Sequence, residues 1–316
     1  MFRIREGLIS VGVSSDKHYR EWFEKDIKIA KEENIPIIVS LQIISKDPKD
    51  DLEILVPAAV ETGVDAIELS AFSTVRDLLD ERGIGPVQDP ERIRKAIRAV
   101  RKLTDLPVIV KLIPEIWNFL DLIRAVETEK ATAIALRDVM YPAIRYDVET
   151  GKPVVSRIKG KWLAGLSGPA ILPISLGYVT EAFRNTKLPI IGLGGVSTWK
   201  DAVEMILAGA TCVGICTSVI LYGPKVFRRI LIGIEKYMKE NGYNRVDDFR
   251  GLGVKILERE WSREEIPYIV SSIDTDICTG CGICLRSCLR EAIKLENGKA
   301  TVIREECVGC GMCVSV

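Results

Sequence analysis

The sequence predicts a (β/α) barrel followed by a small cysteine-rich domain, and three observations carry that reading. Short β-branched runs alternate with longer amphipathic stretches over most of the chain. The composition turns to Cys and Gly from Ile273 onward. Seven of the nine cysteines fall in two short runs near the C-terminus, and C278TGCGIC recurs as C307VGCGMC after 29 residues, an internal duplication.

The strand candidates are taken in chain order. IPIIVSLQI (35–43), VDAIELSAF (64–72), LPVIVKLI (106–113), ATAIALRD (131–138), LPIIGLGG (188–195) and TCVGICTS (211–218) are nearly all apolar, as strands buried on both faces of a parallel sheet must be. LISVGV (8–13) makes a seventh if it joins them, whereas a closed barrel of this type needs eight. Between the runs lie helix patterns such as DPERIRKAIRAVRKLT, where Asp89 caps, Pro90 opens the first turn, and Ile93, Ile97 and Val100 share one face. The polar stretch from Asn241 to about Ser271 reads as a helical tail and linker, which divides the chain into 1–270 and 271–316.

Charge and hydropathy narrow the function. Lys and Arg balance Asp and Glu at 44 each, so no net field favours nucleic acid or an anionic membrane. No apolar run suggests a membrane span, and MFRIREGLIS lacks the apolar core of a signal peptide, so a cytoplasmic protein is expected. Cysteines at metal-ligand spacing fit the same reducing compartment. His18, the single histidine, begins a helix from a polar loop and reads as surface.

Cys278, Cys281, Cys284 and Cys288 form C-x2-C-x2-C-x3-C, the bacterial ferredoxin run, in which three cysteines grip one [4Fe–4S] cluster and the fourth serves the other. Cys307, Cys310 and Cys313 with Cys288 make one complete set, and the set of Cys278, Cys281 and Cys284 calls for a fourth cysteine at position 317. A zinc site shares the C-x2-C spacing, but the doubled triple exceeds four zinc ligands. Gly280, Gly282, Gly309 and Gly311 suit tight loops that turn backbone N–H groups toward sulfur. Leu289 stands where Pro usually follows the fourth cysteine. Cys212 and Cys216 lie in a buried-strand pattern and read as core cysteines.

IIGLGGVST (190–198), followed by VGICTS (213–218), places backbone N–H groups at the ends of two successive strands, where barrels of this kind often bind phosphate. GLGG does not match the G-x-G-x-x-G of a nicotinamide fold. Together with PVIVKL (107–112), GLSGPAILPISL (165–176), RGIGPVQDPERIRKAIRAV (82–100) and the ferredoxin repeat, these segments resemble the flavin-dependent dihydroorotate and dihydropyrimidine dehydrogenases. The likeness drawn most closely is to the bacterial dihydropyrimidine dehydrogenase subunit.

That resemblance implies FMN at the barrel mouth. Lys111 alone reads as a solvent-facing lysine after a strand; within the family pattern it lies beside the flavin, where its ammonium stabilises negative charge near N1 and C2=O. Ser167 and Gly168 match the flavin-side loop, Gly194 and Gly195 one phosphate turn, and Cys216 with Thr217 the other. The substrate positions depart from the pattern. Ser70 replaces an Asn that bonds the substrate ring, Pro86 and Val87 stand where a thiol is expected, and Asp138, or Val139 one place on, replaces a second Asn. Ser73 is either the base or a loop serine capping Val75 onward. Arg137 and Asp138 either shape the loop as a pair or meet a charged substrate. EGLISVGV resembles the stretch after the second barrel strand, so the barrel lacks its first two strands and an incomplete sequence is expected.

The expected activity is an FMN- and iron–sulfur-dependent oxidation or reduction of a CH–CH bond in a small cyclic substrate, of dihydropyrimidine dehydrogenase type. The alternatives are a dihydroorotate dehydrogenase-like enzyme and a non-catalytic electron-transfer subunit of a larger complex. A separate FAD/NAD(P)-binding subunit or a ferredoxin is the expected electron partner, in an oligomeric assembly.

Overall fold

Six parallel strands form the first unit's main sheet, in the order β3-β4-β5-β6-β9-β10. They are β3 (Ile38–Gln42), β4 (Ala66–Ser70), β5 (Val108–Lys111), β6 (Ala133–Leu136), β9 (Ile190–Leu193) and β10 (Cys212–Gly214). The fold is that of a computed structural model describing residues 2–4, 7–10, 17–45, 47–70, 89–112, 119–137, 139–154, 164–262 and 269–316. The sheet is open and curled, a barrel-like core without closure: β3 and β10 each have one neighbour among the described strands.

Helices Pro48–Glu61, Pro90–Arg101, Phe119–Thr128, Leu172–Asn185 and Trp199–Leu207 pack on one face of that sheet, against the side chains that alternate outward. Caps set where they begin. Asp47 accepts from the Lys49 N–H and Asp89 from the Glu91 N–H, both at 3.0 Å, and each is followed by proline in the first turn. Thr198 and Asp201 form a reciprocal capping box. Ile93, Ile97 and Val100 are buried together on the helix they were read to share. The largest apolar cluster lies between helices and sheet and includes Leu52, Ile67, Ile97, Val108, Leu122 and Ile134. The opposite face carries a smaller layer, Ala66, Ile109, Ala133 and Ala135 with Ile191 and Leu193.

Three strand expectations change. Leu8–Ser10, the described part of that run, does not join the parallel sheet: β2 (Gly7–Ser10) pairs antiparallel with β1 (Phe2–Ile4) and with β8 (Ala164–Ser167), which also pairs with β7 (Met140–Ala143). The partner decides this, because Gly7 approaches so closely that a Cβ there would lie 2.2 Å from the Ser167 carbonyl oxygen. Burial on both faces fails at β3, which has one neighbour among the described strands and where Ile38 is 48% exposed. It fails again at β10, where Cys212 and, just beyond, Cys216 are exposed rather than core residues.

The chain divides into Met1–Ile256 and Leu257–Val316. In the second unit β11 (Ile293–Glu296) and β12 (Lys299–Val302) form a hairpin with Glu296 opposite Lys299. Asn297 and Gly298 turn it with φ of 51° and 75°, the left-handed pair that a two-residue hairpin loop requires. No helix of the described residues is long and apolar enough to cross a membrane.

Candidate flavin and iron–sulfur sites

Parallel strands align their C-terminal ends, and there the first unit gathers its polar side chains. In register, Gln42, Ser70 and Lys111 stand side by side on β3, β4 and β5. Ser70 is 5% exposed, and its carbonyl accepts from the Ile43 N–H. Lys111 is mostly buried, and its ammonium lies 2.8 Å from Oε1 of Glu68. Ser40 Oγ donates to the same Oε1 at 2.7 Å.

Across the sheet, the loops after β8, β9 and β10 are tied together by hydroxyls. Thr217 Oγ1 donates to Ser167 Oγ at 3.0 Å, Ser218 Oγ donates to the Val196 carbonyl, and the Ser197 and Ser218 hydroxyls are 2.9 Å apart. Gly194 and Gly195 turn with φ of 97° and 98°. A Cβ at Gly195 would come within 2.6 Å of the Leu172 backbone, and one at Gly194 within 2.6 Å of the Arg137 carbonyl oxygen. Neither Gly195 nor Val196 gives its N–H to a backbone carbonyl among the described residues. Neutral donors on a glycine turn, flanked by hydroxyls, suit the oxygens of a phosphate.

Replacing Gly195 therefore has a defined outcome. Gly195→Val puts a β-branched residue at positive φ, costing about 1–3 kcal/mol in backbone strain alone, and drives the turn off Leu172. Loss of bound FMN after reconstitution, with a lower Tm, is the expected result.

Arg137, just past β6, is 4% exposed, and its guanidinium stands 5.1 Å from the centre of the Tyr178 ring. Ser73 and Asp138, together with Pro86 and Val87, lie outside the described residues. His18 is exposed at the start of a helical segment, and its Nδ1 accepts from the Arg20 N–H at 3.4 Å.

In the second unit, Cys288, Cys307, Cys310 and Cys313 line one small cavity with Ser271, Ala292 and Ile293. The Ala292 N–H points at Cys288 Sγ (3.3 Å), the Ala300 N–H at Cys278 Sγ (3.5 Å), and Ser271 Oγ is 3.0 Å from Cys313 Sγ. Backbone donors pull thiols toward thiolate: the Ala300 N–H lowers the pKa of Cys278, the Ile283 N–H that of Cys281, and the Ser271 N–H that of Cys307. Gly280, Gly282, Gly309 and Gly311 all have φ between 66° and 73°. At Gly280 a Cβ would meet the Gly298 carbonyl at 2.1 Å. Among the described residues no three Cys, His, Asp or Glu side chains converge as ligands of a single ion do. The seven cysteines of the two runs exceed the four ligands of one zinc ion, and the doubled triple spacing suits clusters.

A barrel-like sheet with a phosphate-type turn and a lysine at its strand ends, joined in one chain to a dicluster unit, defines an FMN- and iron–sulfur-linked oxidoreductase. More particularly, the chain belongs to the dihydroorotate dehydrogenase family, whose model matches residues 5–238, while residues 271–316 match a 4Fe-4S dicluster domain. It is 32% identical over 232 residues to the catalytic subunit of dihydroorotate dehydrogenase B (NAD(+)) from Methanothermobacter thermautotrophicus, covering 73% of each chain. It is 34% identical to the protein of the same description from Thermoplasma volcanium, covering 74% of each, and 41% identical to that from Pyrococcus furiosus over 54% of this chain and 55% of the relative. These likenesses are to dihydroorotate dehydrogenases rather than to the dihydropyrimidine dehydrogenase subunit, and they shift the balance between the two substrate readings.

Two residues of the first site went unread in the sequence, Glu68 and Ser40. The signal for Glu68 was a single carboxylate inside the apolar run AIELS, in phase with Ala66 and Ser70 and so on the inner face. Ser271 also escaped notice, since nothing in its local sequence marks a neighbour of Cys313, 42 positions on.

Proposed function

We propose that the protein interconverts the CH–CH and C=C forms of a dihydroorotate-like ring acid, passing the electrons through its iron–sulfur unit to a separate electron carrier. The observation that carries the reading is Lys111, held in the strand-end register beside Ser70, on the same sheet as the glycine turn of Gly194 and Gly195. The dihydroorotate dehydrogenase description of the relatives supports this ring acid over uracil or thymine.

Bound FMN supplies the acceptor for a hydride leaving one ring carbon. The chain does the rest. The loops of Ser167–Gly168, Gly194–Val196 and Cys216–Thr217 hold the phosphate end. Lys111 presents a cation where the ring system gains negative charge. Ser73 takes the proton leaving the neighbouring carbon, so one CH–CH bond loses one hydride and one proton and becomes C=C. Ser70 stands in place of one of the family's asparagines and Asp138 or Val139 in place of another, and a hydroxyl at 70 keeps one donor and one acceptor where an amide has more. Cys288, Cys307, Cys310 and Cys313 hold one cluster, with Cys278, Cys281 and Cys284 serving a second. An FAD/NAD(P)-binding subunit or a ferredoxin takes the electrons onward.

Anaerobic titration of the FMN- and iron-reconstituted protein separates the readings. Bleaching of flavin absorbance by dihydroorotate, without bleaching by dihydrouracil or dihydrothymine, is expected. Bleaching by the dihydropyrimidines alone would transfer the activity to the other substrate class. Iron without retained FMN would leave an electron-transfer subunit.

A further inference from the structure

An ion pair on the inner face of this open sheet has to be explained, because taking two charges out of water is costly before their attraction is counted. Glu68 is 9% exposed on the face lined by Ala66, Ile109, Ala133 and Ala135, a layer otherwise apolar and small. Stability alone would be served as well by an apolar residue of similar volume.

Register shows how the pair is built. Ser40 and Glu68 are directly opposite on β3 and β4, and Glu68 faces Ile109 on β5. Lys111 sits two residues nearer the strand ends, opposite Ser70, on the same face as Ile109. Its side chain therefore meets a carboxylate rooted one layer deeper, at 2.8 Å, while Ser40 holds the same carboxylate oxygen at 2.7 Å. One rotamer of Glu68 is thus fixed from both sides, and the ammonium is met by a full negative charge beneath the strand ends.

We propose that Glu68 is the counter-ion of Lys111, fixed by Ser40, and that it tempers the pull of the lysine on electrons at the flavin site, so that the Ser40–Glu68–Lys111 chain sets the reduction potential of bound FMN. The inference rests on the flavin reading of this site. Lys111 alone would favour the reduced, more negative flavin. A carboxylate 2.8 Å from its ammonium opposes that bias and keeps the flavin reducing enough to pass electrons on.

The sign of the charge change makes the test specific. Glu68→Gln keeps the shape and the Ser40 contact but removes the negative charge, so the midpoint potential of bound FMN rises. The expected shift is about tenfold in the reduction equilibrium, about 30 mV for a two-electron couple. Lys111→Met shifts it the opposite way. Glu68→Asp, which keeps the charge but withdraws it from the ammonium, falls between wild type and Gln; if the Gln variant does not fold, the Asp variant carries the test through the same upward shift. Potentials are read by spectroscopic redox titration of the reconstituted full chain, with FMN content measured alongside. An unchanged potential in a folded, FMN-loaded Glu68 variant would make the pair a packing feature, and a fall would mean that Glu68 acts by raising the ammonium toward the flavin; either overturns the proposal. Wild type that retains no FMN fails the flavin reading instead, and that outcome is visible before any variant is made.

Discussion

Lys111→Met is expected to slow flavin reduction by substrate about 10²–10³-fold, the usual cost of removing one donor aimed at developing charge, while FMN stays bound. The two effects separate because the groups proposed to hold the phosphate and the lysine proposed to answer charge lie on different strands. Ser167, Gly194, Gly195 and Thr217 belong to the loops after β8, β9 and β10, whereas Lys111 ends β5. Methionine matches the length of the lysine stem and leaves the apolar wall of Ile109 and Ala135 in place. It also leaves Glu68 buried with only Ser40 among its two side-chain contacts to the Oε1 oxygen. A second deficit follows, a lower thermal stability, because breaking a buried pair from one side leaves an uncompensated charge. Stopped-flow reduction measures the first and thermal unfolding the second. The double variant Lys111→Met/Glu68→Leu should recover stability without recovering rate; recovery of both would show that the slow reduction came from misfolding.

How much of this was legible in the sequence follows from what periodicity carries. The six parallel strands are readable because a short, mostly apolar, β-branched run marks a strand of a parallel sheet, and 38–42, 66–70, 108–111, 133–136, 190–193 and 212–214 lie inside the expected segments. Pairing partners were not readable. Leu8–Ser10 is as apolar as the others yet pairs antiparallel with Gly165–Ser167, a contact between segments some 157 positions apart that no local pattern encodes. β7 and β8 were missed because Pro142 and Gly165 dilute their β signal. Exposure is not legible for the same reason: an apolar run does not say whether a neighbour covers it, so the pattern around Ile38 and Cys212 implies burial while both are exposed. The Asn297–Gly298 turn, by contrast, was readable from its dipeptide and went unread.

The site divides along the same line. Glycine turns and cysteine spacings are local, so Gly194, Gly195, Gly280 and Gly309 could be placed from the chain alone, and each has the positive φ its role requires. Lys111 could be named, but its partner could not, because Glu68 meets it only through the β4–β5 register. Substrate recognition is least legible. The departures at Ser70, at Pro86 and Val87, and at Asp138 show where the family pattern is broken without showing what the new side chains prefer.

Cys307→Ala should uncouple the two halves of the protein. Cys307 is 8% exposed, its sulfur is approached by the Ser271 and Gly309 N–H groups, and it lines the cavity shared by Cys288, Cys310 and Cys313. Among the described residues that line the cavity only three thiols remain, and a methyl group cannot bind iron, so loss of that cluster is expected, with iron content falling by about half if two clusters load. The residues proposed for the flavin site lie in Met1–Ile256, and the seven cysteines of the two cluster runs lie in Leu257–Val316. Substrate should therefore still bleach the flavin in a single turnover, while transfer of those electrons to an external one-electron acceptor collapses. Cys212→Ala is the matched control, since that cysteine is exposed on β10 and belongs to neither cluster set. Wild-type electron transfer in the Cys307 variant would mean that the flavin passes electrons outward without this cluster, and the iron–sulfur unit would then serve some purpose other than wiring.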